Sequence, residues 1–359
     1  MNKESLRKPN IERLITVLKG GIADRVPNFE ILIEDRNVTA LLGRNAGNTL
    51  GASRGAGDDA YVTPPMDPKD YIELCNIIGQ DAIGIEALWT PVKYRDDKGD
   101  LHIINDGRIK TWEDAEKMVK PNWELDYAPR KRYIEEYVRA VKGTNIGVAF
   151  MVGCFFQACY QFICGFNDFL LMIYQDREFA EYMLDVCVEY YVKMVDIAVD
   201  AGIDVLYFAD DIAFHSGTFV RPDIFKEIWL PRALKIMEPA KAKGLPIMFH
   251  SCGNLNGIMD SIITEMGIDC LNPIEPYSMD IFEIKEKYQD KFTISGNVDI
   301  AGPLAFGTPE ETSKVVRELL ERLKPGGKYI LTSSHSITND IPPENYRAML
   351  DTLFEYGVY

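Results

Sequence analysis

His250 and Cys252 stand two residues apart at the end of the apolar run Pro246-Ile-Met-Phe249. Residues i and i+2 of a strand share a face, so both side chains can reach one ion if the strand runs on through Cys252. Imidazole and thiolate together suit zinc. Two ligands do not complete a tetrahedral site, so other parts of the chain must supply the rest. The competing reading is a buried free thiol beside a hydrogen-bonded imidazole, because cysteine is among the most buried residue types.

More polar groups stand at the ends of other apolar runs: Glu30, Glu86, Cys154, Asp210-Asp211, Asn272, Glu275, Asn297, Asp299 and Ser333-Ser334-His335. Glu30, Glu86, Asp211 and His250 are the candidates for catalysis, with His250 and Cys252 as metal ligands. His215, Asn272, Asn297 and His335 are the candidates for substrate contact. Each also has a structural reading, since aspartates cap helices and asparagines tie loops.

The apolar runs are short, eight in number, and separated by helical patterns. They cover residues 25–31, 81–87, 146–152, 204–209, 246–249, 270–273, 292–298 and 328–333. A helix over residues 10–19, capped by Asn10 and stopped by Gly20-Gly21, precedes all of them. Residues 94–110 read as a β-hairpin turning at Asp97-Lys-Gly99. This alternation predicts an α/β fold, a single (β/α)8 TIM barrel over residues 1–359 with an N-terminal helix and a β-hairpin excursion. A doubly wound sheet is the alternative, but no Gly-x-Gly-x-x-Gly follows the first strand. Barrel active sites lie at the C-terminal ends of the strands, where the polar residues gather. That convergence favours an enzyme over a non-catalytic binding barrel. The Gly- and Asn-rich stretch 43–57 is expected at the mouth of the site. Phe29, Trp89, Phe155, Phe156, Tyr207, Phe214 and Phe249 give the same region aromatic character.

Composition narrows the partners. The 359 residues are 47% hydrophobic and 26% charged, with a net charge of −16. That charge argues against nucleic acid and against an anionic membrane surface. No run of 18 apolar residues occurs, and the charged start Met1-Asn-Lys-Glu-Ser-Leu-Arg-Lys-Pro9 lacks the apolar core of a signal peptide. A cytoplasmic protein with its seven cysteines reduced is expected.

Several longer stretches resemble the uroporphyrinogen decarboxylase superfamily and, within it, the corrinoid-dependent methyltransferases. They are Ala23-Asp-Arg-Val-Pro27, Trp112-Glu-Asp-Ala, Val152-Gly-Cys-Phe-Phe, Ala209-Asp-Asp-Ile and Arg221-Pro-Asp-Ile-Phe-Lys-Glu-Ile-Trp-Leu-Pro231. His250-Ser-Cys-Gly-Asn254, Gly296-Asn-Val-Asp299 and Ile341-Pro-Pro-Glu-Asn345 continue the likeness. The resemblance implies one barrel that moves a methyl group. It implies a small methylated substrate, an aryl methyl ether being favoured, and a corrinoid carried by a separate partner protein. The alternative direction is transfer from methylcobalamin to a zinc-bound thiol of the coenzyme M type.

The thiol methyltransferases of this superfamily carry zinc on a His-x-Cys pair and a later Cys near the last strand. His250 and Cys252 match the pair. Ser333-Ser334-His335 stands where the later Cys is expected, and His335, Glu30, Glu86 or Asp211 could take its place. True decarboxylases carry an Arg-rich segment after the first strand. Asn28-Phe-Glu-Ile-Leu-Ile-Glu-Asp-Arg36 has acids there, and Ile85-Glu86-Ala87 replaces their Phe-Ser-Asp-Ile-like segment, so decarboxylation is the third reading. Asp100-Leu-His-Ile-Ile-Asn105 nearly matches the corrinoid-binding Asp-x-His-x-x-Gly, with Asn at the Gly position. His102 therefore reads as a solvated histidine.

Overall fold

The computed structural model describes residues 6–53, 61–63, 65–87, 93–103 and 107–359. Among these, seven apolar stretches pair side by side in chain order as one curled sheet. They are β1 (Ala82–Glu86), β2 (Gly147–Gly153), β3 (Val205–Ala209), β4 (Ile247–His250), β5 (Cys270–Asn272), β6 (Thr293–Val298) and β7 (Tyr329–Ser333). Every neighbouring pair is parallel. Parallel strands are covered on both faces, which is why they read as continuous apolar runs. β2, β3, β5, β6 and β7 are buried throughout, whereas β1 and β4 open only at their last residues, Glu86 and His250.

The crossovers carry the helices that cover the sheet, among them Arg177–Ala201, Leu230–Ala242, Ile281–Tyr288 and Pro309–Leu323. The connection from β1 to β2 holds the expected hairpin, with Lys93–Arg95 against Leu101–Ile103. It is shorter than residues 94–110, and Met118–Val119 joins it as a third strand. No helix of the described residues is long and apolar enough to cross a membrane.

The first expected strand departs from the ladder. Within residues 25–33, Asn28 forms one parallel bridge to Leu331 and Ile33 another to Ile337. Pro27 has no N–H to give a ladder. Side chains supply the missing bonds instead. The Gln80 amide accepts from the Glu30 N–H at 2.9 Å and donates to the Glu30 carbonyl at 3.1 Å. The Glu30 carboxyl accepts from the Ser333 N–H at 2.6 Å and from the Ser333 hydroxyl at 2.8 Å. The expected eight-stranded ladder is thus seven strands plus an irregular segment tied to β7 and to the start of β1.

The N-terminal helix forms as expected, over Ile11–Leu18, with the Asn10 side chain accepting from the Glu12 N–H. Leu14, Val17 and Leu18 pack with Ala82, Val205, Met248, Cys270 and Ile330 in a core inside the curl. Arg13 on this helix bonds Asp81 at 2.5 Å and forks onto Asp24 at 2.6 and 3.0 Å. The buried Arg25 donates to the carbonyls of Leu6, Val26 and Gly79. The Ala23-to-Pro27 stretch is therefore a structural anchor.

Candidate active site

Strand register places the centre. His250 at the tip of β4 pairs with Ala209 of β3 on one side and Asn272 of β5 on the other. β4 ends at His250, so the extended geometry expected through Cys252 does not persist. The two side chains converge for another reason. The Cys252 N–H donates to Asp211 Oδ1 at 2.8 Å, which ties the turn to the loop after β3. Gly253 then has φ +90°, and a Cβ there would stand 2.4 Å from the Ala213 carbonyl oxygen. Only glycine accepts both the positive φ and that close approach.

The result is a trio of donors. His250 Nε2 is 3.8 Å from Cys252 Sγ and 3.9 Å from Asp211 Oδ1, and the three ligand atoms lie within 4.8 Å of one another. Donors around a tetrahedral zinc, at about 2.0–2.3 Å from the ion, are roughly 3.3–3.8 Å apart. Nitrogen, thiolate and carboxylate at this spacing fit a zinc-sized cation after a small contraction. Burial, and then Asp211 and Glu275, push the Cys252 thiol well above its usual pKa. A cation among these donors would reverse that, because a coordinated thiol is deprotonated.

A cavity of about 280 Å³ opens beside the trio. Ile31, Leu50, Met151 and Tyr207 give it apolar walls, and Glu86, Asp211, His250 and His335 face it as polar groups. Asn48, Leu50 and Gly51 bring the 43–57 stretch to its mouth, as its composition predicts; residues 54–60 lie outside the described chain, as do Trp89 and Asn105. Glu86 stands on the β1 side. Burial pushes its carboxyl up to about 8, and it makes no hydrogen bond with the described residues. At neutral pH it is mostly the neutral acid, poised to give a proton.

The other candidates fall in different places. Glu30 lies off the cavity, on Ser333; burial outweighs those bonds and raises its carboxyl to about 8. His335 lines the rim, its ring 6.1 Å from that of His250 and its Nδ1 3.0 Å from the Ser336 hydroxyl. Surrounding protein, and then His250, lower its pKa. Asn272 lies buried beneath His250, its Oδ1 2.7 Å from Nδ1. Asn297 donates to the Ile274 carbonyl at 2.6 Å and lines a separate cavity of about 350 Å³. His215 sits at the exposed turn between Ala213–Phe214 and Gly217–Thr218. Of the four residues expected to touch substrate, the structure brings only His335 to this cavity. His102 is tied to Asp96 Oδ2 at 2.9 Å and stacks on Tyr94, a hairpin contact rather than a merely solvated ring.

Asp210 and Asp211 divide their work. Asp210 accepts from the Phe156 and Gln157 N–H groups and from the Trp229 indole, capping the turn after β2. Asp211 belongs to the donor trio. Gln157, which also lines the cavity, has no signal in the sequence, since it stands in the turn after β2 and not at a strand tip.

A family model described as Uroporphyrinogen decarboxylase (URO-D) matches residues 80–356. The chain is 26% identical over 190 residues to the Methylcobamide:CoM methyltransferase MtaA of Methanosarcina barkeri, covering 53% of each. It is 24% identical over 310 residues to a uroporphyrinogen decarboxylase of Solibacter usitatus, covering 83% of this chain and 84% of that one. In other curated relatives the match is shorter; the chain spans 34% and 53% of the length of two further decarboxylases. Among solved structures, a methyltransferase from Methanosarcina mazei superposes with a TM-score of 0.69 at 18% identity, covering 97% of this chain and 99% of that one. That likeness shows a shared fold.

Proposed function

The chain belongs to the uroporphyrinogen decarboxylase family, and from that premise we propose that it is a methyltransferase acting on a small methylated substrate, with the Co(I) of a corrinoid on a separate protein as methyl acceptor. One observation carries this reading. Glu86, mostly protonated at neutral pH, lines the same small cavity as Asp211 and His250, and Cys252 stands beside them in the donor trio.

An aryl methyl ether suits that pairing. Phenoxide is a poor leaving group, so its developing charge needs a proton or a Lewis acid. The methyl carbon passes from oxygen to cobalt, and the C–O electron pair stays on oxygen. Glu86 gives its proton to that oxygen, releasing a phenol and leaving methyl–Co(III). Glu86 regains a proton from solvent. Asp211, His250 and Cys252 would hold a zinc ion, which would supply positive charge at the leaving oxygen. Ile31, Leu50 and Met151 keep water from the reacting carbon.

Two other readings have support. The His-x-Cys pair and the likeness to the Methylcobamide:CoM methyltransferase favour thiol methylation; the third donor here is a carboxylate, and a proton donor opposite it has no task in attack by a thiolate. Decarboxylase relatives favour decarboxylation. Against it, no Lys or Arg lines the cavity among the described residues, which suits a carboxylate-rich tetrapyrrole poorly.

The test combines purified protein, a reduced corrinoid protein and methoxylated arenes, with absorbance following Co(I) becoming methyl–Co(III). Metal content is measured on the same preparation. Methyl–Co(III) should form, and stoichiometric zinc should be present and lost in His250→Ala and Cys252→Ala. Inert ethers combined with methylation of thiols from methylcobalamin would replace this reading with the second. Release of CO2 from a porphyrinogen would replace it with the third.

A further inference from the structure

We infer that Asn272 is a positioning residue that holds His250 in the Nδ1–H tautomer, as one link of a hydrogen-bond chain crossing the cavity floor to Glu30. Its consequence for metal binding rests on the reading above; the tautomer itself rests on geometry alone.

Asn272 Oδ1 lies 2.7 Å from His250 Nδ1 and 2.7 Å from the Tyr207 hydroxyl. The Asn272 Nδ2 end lies 3.0 Å from Ser295 Oγ and 3.4 Å from Thr332 Oγ1. Which end of an amide faces which neighbour follows from the protons the neighbours have left. The Thr332 hydroxyl donates to the Ser333 carbonyl at 2.9 Å. The Ser295 hydroxyl donates to Thr332 Oγ1 at 3.4 Å. The Thr332 proton is committed to that carbonyl and the Ser295 proton turns toward Thr332, so Asn272 Nδ2 faces two acceptors, while the Tyr207 hydroxyl, 3.0 Å from His250 Nδ1, donates to Asn272 Oδ1 and leaves its own oxygen only to accept. The NH2 group must face them, and the carbonyl oxygen must face His250. An acceptor 2.7 Å from Nδ1 requires the proton on Nδ1.

The chain then has one sense. His250 Nδ1–H donates to Asn272, Asn272 to Ser295 and Thr332, Ser295 to Thr332, and Thr332 to the Ser333 carbonyl. The Ser333 N–H and hydroxyl in turn donate to the Glu30 carboxyl. All its members other than the half-buried His250 are buried. Bonds aligned in one direction polarise one another, and they link β4, β5, β6, β7 and the 25–33 segment in order. Nε2 is left with its lone pair toward Cys252 Sγ and Asp211 Oδ1. With the proton on Nε2 instead, that nitrogen would offer no lone pair to a cation held with Cys252 and Asp211. An outer partner that fixes the ring in this way usually controls metal affinity by about 10–100-fold.

The experiment uses the full chain, metal-free, labelled with 15N-histidine, at alkaline pH. Four histidines keep the spectrum simple, and His250→Ala assigns the signal. Wild type should show the Nδ1–H pattern. Asn272→Leu, which removes the acceptor, should lose it. Asn272→Asp, which keeps an acceptor, should retain it, whereas a merely structural role would leave the tautomer unmoved in both. Zinc affinity should fall about 10–100-fold in Asn272→Leu and recover in Asn272→Asp. An Nε2–H pattern in wild type, or an unchanged Nδ1–H pattern in folded Asn272→Leu, would overturn the inference. If Asn272→Leu does not fold, wild type and Asn272→Asp still decide it. The inferred tautomer without any zinc binding would uphold Asn272 and remove the metal from the proposed function.

Discussion

Glu86 has the simplest consequence at the scale of one residue. Its folded pKa of about 8 stands above its ordinary value of 4.5. As a proton donor it works while protonated, so ether demethylation should hold steady below that pKa and fall as pH rises past about 8. Glu86→Gln should lower the rate by about 10²–10⁴-fold and abolish that fall, as a pH–rate profile would read. The same shift acts on stability. The folded state keeps a proton the unfolded chain has lost, so stability declines as pH rises from about 4.5 toward 8; Glu86→Gln should flatten that slope in urea titrations. At this scale the sequence was readable where type and spacing coincide, as in His250-x-Cys252. The third donor stayed open among Asp211, His335, Glu30 and Glu86, because the choice depends on a turn at Gly253 closing onto a loop from another strand. Asn272 looked like a substrate ligand, since an asparagine at a strand tip reads alike whether it faces a ligand or a neighbouring histidine.

Among the elements, the N-terminal helix depends on a buried ion network. Arg13 is 3% exposed and joins Asp81, fully buried, to Asp24. Removing one member of a buried pair leaves an uncompensated charge, at a cost of about 3–5 kcal/mol. Arg25 stays 3.8 Å from Asp81 and keeps part of that charge compensated, so Arg13→Ala should cost at most that order in denaturant unfolding, and Asp24→Ala less, since Asp24 is partly exposed. The helix was legible because Asn10 caps it and Gly20-Gly21 ends it. β1 through β7 were legible because parallel strands are apolar on both faces. The segment 25–33 was not. Its apolar pattern resembles a strand, but beside two single bridges to Leu331 and Ile337 the backbone of Glu30 bonds the side chain of Gln80, fifty residues on, and periodicity carries no trace of such a partner.

For the whole molecule, that segment is where the curl of the sheet depends on side chains. Gln80→Ala would strand the buried N–H and carbonyl of Glu30, at about 1–3 kcal/mol for each group left without a partner. Amide hydrogen exchange at Glu30 and Ser333 should accelerate while β3 and β4 keep their protection. The net charge and the barrel-like order of elements were plain in the sequence; the seam was not, because it joins residues some three hundred positions apart. The cysteines carry a further consequence. All seven lie within the described residues, and Cys252 is the one that is not buried. Its surroundings hold that thiol protonated, so the native protein should take a single alkylating mass tag slowly, and faster as pH rises. In intact-mass spectra the first tag should mark Cys252, later tags should mark global unfolding, and a bound cation should delay the first without touching the rest. One spectrum would then report site occupancy and fold integrity as separate clocks.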